Sequence, residues 1–147
     1  MSLLSTADQE KLRESFDDMT SPVRVLFFTQ TLDCDPCVQT RRILDELPAL
    51  SNRISIEEVN FILEKDKAAQ YGVDRVPALA LLGEDIAGQT HDSRIRFLGT
   101  PGGYEFVSLV QALLLVGGHA SSLTPENRQR VAAVSTPTTI QVFSTPT

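Results

Sequence analysis

At 147 residues, 41% of them hydrophobic, the chain can bury one good core and carry an appendage, but it is short for two full domains. A formal charge of −6, with no local cluster of Lys or Arg, repels phosphate backbones and anionic lipid, which excludes nucleic acid and membrane surfaces as partners. No run approaches the roughly 18 apolar residues of a membrane span, and no basic-then-apolar leader opens the sequence, so a cytoplasmic protein is expected.

Residues 6–19 read as a first helix. Leu12 and Phe16 make one apolar stripe, Thr6 and Gln9 are spaced as a capping box, and Asp8, Glu10, Glu14, Asp17 and Asp18 form a solvated face. Val23 to Thr29 is a continuous apolar run of strand length. Cys37 to Leu47 is an amphipathic helix with Val38, Ile43, Leu44 and Leu47 at helical spacing, ended or kinked by Pro48. Between strand and helix lies Cys34-Asp35-Pro36-Cys37, which holds the only two cysteines.

Residues 54–61 make a second strand candidate, 65–71 a short helical turn closed by Gly72, and 76–82 a third strand. A polar turn through Gly83, Glu84, Asp85 and Gly88 leads to a fourth strand over 94–98, spaced like a hairpin. The stretch Gly99 to Gly103 breaks the sheet pattern, and Tyr104 to Val116 returns as a strongly apolar helix. The order αβαβαββα predicts an α/β fold with a mixed sheet flanked by helices, because β-α-β steps need parallel strands and the hairpin an antiparallel one.

Thr124-Pro125-Glu126-Asn127 starts a further helix reaching about Val134, and 139–147 reads as a closing strand. In it Phe143, Thr145 and Thr147 fall on Phe27, Thr29 and Thr31 at a constant offset, as if a second copy of the same unit begins. A chance likeness between short apolar strands is the alternative.

The two cysteines suit thiol–disulfide exchange. The thiolate is the nucleophile, so the attacking cysteine must be partly ionised and reachable. Cys34, at the predicted helix start, meets both needs, since free amides and the positive end of the helix dipole stabilise a thiolate. Cys37 lies one turn further in on the same side and serves as the resolving thiol. Pro36 suits the first turn, where its missing amide costs nothing. Asp33 and Asp35 disfavour a thiolate at Cys34 and are expected to make the couple more reducing than a neutral motif. A purely structural bridge across three residues removes little unfolded-state entropy. A metal site would need two more ligands, and the chain offers only His91 and His119, which read as surface residues.

Pro77 opens the third strand, where a proline cannot donate to the sheet. A cis Val76–Pro77 bond would fit there, although most X–Pro bonds are trans and the residues by themselves leave the isomer open.

A strand ending in C-x-x-C on a helix, followed later by a hydrophobic residue and proline opening a strand, resembles the thioredoxin superfamily from about Arg24 to Val116. The resemblance implies a thioredoxin fold with a central four-stranded sheet, a cis Pro77 packed opposite the two sulfurs, and a substrate chain paired with the backbone of Val76. The chain departs from thioredoxin proper at Asp33, which replaces Trp, and at Phe28, which replaces a buried Asp. Glu57 or Glu58 could supply the missing proton relay, but each reads first as a surface acid. It departs from small glutaredoxins at Tyr104, which follows Gly102-Gly103 where an acidic residue would mark a glutathione site.

The segments Tyr71 to Ala78 and Arg96 to Phe106 look like those of the first unit of two-unit, glutaredoxin-like protein disulfide oxidoreductases, and Val142 to Thr147 resembles the strand that leads into the second unit. This implies a thioredoxin-fold domain over 1–118, with 119–147 as a linker helix and the first strand of a truncated second unit. The expected function is exchange of disulfides with protein dithiols, with no cofactor beyond the Cys34–Cys37 disulfide. The implied partners are protein dithiol or disulfide substrates and a redox partner, either a thioredoxin reductase-like enzyme or a second thioredoxin-like unit. Two rivals are a docking module using the Val76–Pro77 groove with little redox turnover, and the N-terminal electron-relay domain of a peroxide-defence reductase.

Overall fold

The structure is a computed structural model and describes residues 2–145. It runs α1 (Thr6–Asp17), β1 (Val23–Thr29), α2 (Asp35–Asp45), β2 (Ile54–Asn60), α3 (Lys65–Gln70), β3 (Ala78–Glu84), β4 (Thr90–Leu98), α4 (Tyr104–Val116) and α5 (Pro125–Ala132). The four strands form one mixed sheet in the order β2-β1-β3-β4. β1 is parallel to β2, with Val23 beside Ile54, and antiparallel to β3, with Phe28 beside Ala78. β3 and β4 are antiparallel. The mixed α/β sheet expected from the element order is the one observed.

β1 and β3 are central and covered on both faces, which is why they read as continuous apolar runs rather than alternating ones. One face, with Val23, Val25, Phe27, Leu79 and Leu81, packs against Phe16 of α1, Leu44 of α2 and Leu109 and Leu113 of α4. The other, with Leu26, Phe28, Ala78, Ala80 and Leu82, packs against Ala68 of α3 and Val73. Phe28 fills this second core completely.

Several local expectations shift. The N-cap of α1 is Ser5, whose extended backbone suits the position and whose Oγ accepts from the Asp8 amide at 3.1 Å. The cap therefore pairs Ser5 with Asp8, one residue earlier than the Thr6–Gln9 box, and the Gln9 amide turns back to Ser2 Oγ and the Leu4 carbonyl. Gly83 and Glu84 belong to β3, and the turn proper is closed between Asp85 and Gln89. β4 begins at Thr90 because its polar first half still pairs through a bulge. There Arg94 takes φ +65° and Ser93 Oγ donates to the Leu81 carbonyl at 2.6 Å. His91 thus lies in β4, opposite Gly83, rather than in a turn.

Thr124 caps α5 through the Asn127 amide, as the sequence suggests, but α5 buries none of its residues. Residues 139–145, read as the start of a closing strand, join no ladder. A strand is defined by a paired backbone, and this segment reaches neither edge of the sheet; Pro146 and Thr147 lie outside the described residues.

Candidate active site at the mouth of helix α2

The site lies at the edge of the sheet where β1 ends. The Gln30 side chain donates to the Leu32 carbonyl at 2.9 Å, and Asp33 adopts φ +54°, a left-handed conformation that Asp tolerates better than most residues. The chain then enters α2 with Cys34 as its N-cap, Asp35 first in the helix and Pro36 in the first turn. Cys34 and Cys37 form a disulfide with Cα atoms 5.3 Å apart. Cys34 is partly exposed, whereas Cys37 is 3% exposed and its amide donates to the Cys34 carbonyl at 3.1 Å. Asp33, Asp35 and Pro36 are exposed around the sulfurs.

The same edge carries Val76 and Pro77. Because β3 runs antiparallel to β1 with Ala78 beside Phe28, the residues before Ala78 continue alongside the end of β1, from which the Cys34 turn departs. The Val76–Pro77 peptide is cis. Pro77 is buried and accepts from the Gly99 amide at 2.8 Å, and half-buried Val76 packs on the α3 side of the sheet. Five site residues (Asp33, Cys34, Asp35, Pro36, Cys37) therefore arrive from the β1–α2 junction and two (Val76, Pro77) from the approach to β3.

The buried stripe of α2 is Cys37, Thr40 and Leu44. Val38, expected on that stripe, is 54% exposed beside the motif, because one residue past Cys37 turns the side chain about 100° around the helix. The interior place is taken by a polar residue the apolar pattern could not reveal. Thr40 is fully buried, and its hydroxyl bonds to the Pro36 carbonyl at 2.8 Å and to Thr100 Oγ1 at 3.0 Å. A threonine one turn after the second cysteine was the available signal. Leu32, Ile62 and Leu63 are further exposed apolar side chains on loops leaving this edge.

Glu57 and Glu58 hold no proton-relay position. Glu57 bonds to Lys67 and pairs with Arg24 at 3.4 Å, and Glu58 pairs with Arg41, whose guanidinium stands 5.8 Å over the Phe27 ring. The hydrogen bond from Lys67 holds the Glu57 carboxyl below its ordinary range, and that from Arg41 does the same for Glu58. Both are surface ion pairs. Among the described residues no group of three or more His, Cys, Asp or Glu is placed to hold a metal ion, and no helix is long and apolar enough to cross a membrane. The largest groove, about 790 Å³, lies at the C-terminal end of α2 against Ser2 and Leu3 and contains neither cysteine.

No protein-family model matches the chain. It is 38% identical, over 91 residues, to the alkyl hydroperoxide reductase AhpF of Xanthomonas campestris pv. phaseoli, covering 60% of this chain and 14% of that protein. In structure it is similar to the NTD_N/C domain of the alkyl hydroperoxide reductase AhpF from Enterococcus faecalis, with TM-score 0.77 and 27% identity over 88% of this chain and 60% of that one. A protein disulfide oxidoreductase from Aeropyrum pernix shares the fold, with TM-score 0.71 and 24% identity over 88% of this chain and 54% of the other. The chain thus spans only part of each of these relatives. It belongs to the thioredoxin superfamily, and its Cys34–Cys37 disulfide is of the redox kind found there.

Proposed function

We propose that the chain is a thiol–disulfide exchange unit in which Cys34 is the nucleophile and Cys37 the resolving thiol. The observation that carries this reading is the asymmetry of the disulfide, with Cys34 reachable at a helix N-cap and Cys37 enclosed beneath it. The Cys34 thiolate attacks a substrate disulfide, forming a mixed disulfide and releasing one substrate sulfur as a thiolate. Cys37 gives up its proton and attacks Cys34 Sγ, which breaks the mixed disulfide and releases the second substrate sulfur. Two electrons and two protons pass to the substrate, and the Cys34–Cys37 bond is restored. Val76 and Pro77 border the approach to the sulfurs and are assigned to substrate binding, with Asp33, Asp35 and Pro36 tuning the couple. No metal or organic cofactor enters this exchange.

Within that chemistry, the electron-relay role is favoured by the likeness to the AhpF alkyl hydroperoxide reductases in both sequence and structure. In this reading the unit takes electrons from a reductase and hands them to a dithiol protein of a hydroperoxide-reducing system, in the cytoplasm, where a reducing pool keeps such pairs cycling. The matched structures extend well beyond the region this chain covers, which supports reading 119–147 as the lead into a second unit. The fold likeness to the Aeropyrum protein supports the sister reading, direct action on protein disulfides.

The test is equilibration with glutathione or dithiothreitol buffers and a count of free thiols, with Cys34→Ser as control. A reversible two-electron couple that the substitution abolishes is expected. Absence of a reversible couple overturns the exchange reading and leaves a docking module.

A further inference from the structure

Among the described residues only Thr29 and Thr40 are buried polar side chains, and Thr40 stands one helical turn beyond Cys37. Its Oγ1 lies 2.8 Å from the Pro36 carbonyl oxygen and 3.0 Å from Thr100 Oγ1, and Thr100 Oγ1 is itself 3.2 Å from the same carbonyl. Thr100 comes from the loop between β4 and α4. Two hydroxyls from separate elements therefore converge on one peptide oxygen inside the redox turn.

That oxygen belongs to the Pro36–Cys37 peptide, whose N–H is the Cys37 amide. An N-cap side chain is served by the amide at the second or third helical position. In α2 the second position is Pro36, which has no N–H, so the Cys37 amide is the one left to serve Cys34. While the disulfide is closed this N–H donates to the Cys34 carbonyl at 3.1 Å, and the Cys34 side chain accepts no capping bond. Reduction turns the Cys34 sulfur into a charged acceptor at that position. Hydrogen bonds received by a peptide carbonyl polarise the N–H of the same peptide and strengthen it as a donor.

We infer that Thr40 and Thr100 are positioning residues that hold and polarise the Pro36–Cys37 peptide, so that the Cys37 amide stabilises the Cys34 thiolate. This rests on the exchange reading above. Stabilising the thiolate favours the reduced form, so the two hydroxyls make the couple more oxidising than the Cys-Asp-Pro-Cys sequence would otherwise be.

The test measures the pH profile of Cys34 alkylation and the reduction potential for Thr40→Val, Thr100→Val, Thr40→Ser and Thr100→Ser. Valine keeps the shape and removes the hydroxyl; serine keeps the hydroxyl. Each valine variant is expected to move the alkylation profile to higher pH and to slow Cys34 alkylation at pH 7 by ~2- to 3-fold. A threefold fall in the equilibrium constant for reduction by glutathione corresponds to a potential about 14 mV lower. The serine variants are expected to stay with the wild type. Thr40 is fully buried, so if Thr40→Val does not fold, the partly exposed Thr100→Val carries the test. Wild-type profiles in the valine variants, or serine variants displaced as far as the valine ones, overturn the assignment. A wild type without a reversible couple instead removes the exchange reading, and the alkylation profiles still decide on the hydroxyls.

Discussion

Cys34 and Cys37 share one bond but not one environment: Cys34 meets solvent at the helix N-cap, and Cys37 is 3% exposed beneath it. After reduction, iodoacetamide should therefore modify Cys34 at neutral pH and spare Cys37, as read by peptide mass spectrometry. Cys37→Ser should accumulate a mixed disulfide at Cys34 with an added disulfide substrate, and Cys34→Ser should form none. Equal labelling of the two cysteines would reverse the assigned roles or abolish them.

Asp33 combines a left-handed backbone, φ +54°, with a carboxylate one residue before the nucleophile. Asn tolerates that backbone nearly as well as Asp, so Asp33→Asn isolates the charge. Its removal should raise the Cys34 thiolate fraction at pH 7 by ~2- to 5-fold and shift the couple toward oxidising, because a nearby carboxylate disfavours a thiolate. Asp33→Val should cost about 1–2 kcal/mol of stability as well, since a β-branched residue resists positive φ. Chemical denaturation and alkylation rates, measured on both variants, separate the two effects.

Gly117 closes α4 against the end of α1. A Cβ placed there would lie 2.6 Å from Met19 Cε and 3.0 Å from the Leu113 carbonyl oxygen, and the Gly117 carbonyl accepts from the Thr20 and Ser21 amides. Met19 is buried and the Leu113 oxygen is backbone, so neither can withdraw cheaply. Gly117→Ala should lower stability by about 1–3 kcal/mol, the usual range for overpacking. A melting temperature unchanged from wild type would contradict this packing.

The ion pairs set an acid limit on stability. Glu57 and Glu58 are held below their ordinary range by hydrogen bonds from Lys67 and Arg41, and Asp92 by one from Arg96. With native values lowered, the unfolded chain takes up protons first as pH falls. The contribution is complete above the ordinary carboxylate range, roughly pH 4.3, and is lost as pH drops through the lowered native values. These side chains are a third to a half exposed, so solvent screening limits each pair to ~0.2–1 kcal/mol. Urea midpoints for Glu57→Gln and Glu58→Gln should fall below wild type at pH 7 and converge with it near pH 3.

The chemistry of the site was legible in the chain because it is written locally. The run Val23–Thr29, the C-x-x-C after it and the helix pattern beyond place two sulfurs one turn apart at a helix start, whatever surrounds them. The continuous apolar character of β1 and β3 announced central strands for the same local reason. Pro77 marked its own position, but its isomer entered through the family likeness, and only the folded backbone sets a cis bond at the approach to β3.

What the tertiary structure decided is which side of each element faces inward and which distant groups meet. A helix stripe read from apolar residues put Val38 inside, yet the fold buries Thr40, because the Pro36 carbonyl and Thr100 are there to satisfy its hydroxyl. A buried polar group is tolerable only when its partners exist, and Thr100 lies 60 residues away in sequence. The first half of β4 stayed hidden because its polar residues form a strand only when β3 lies alongside to pair with them. The opposite holds for residues 139–145, whose strand-like pattern finds no such partner among the described residues. Local periodicity names the elements, and long-range hydrogen bonding determines which of their faces are buried.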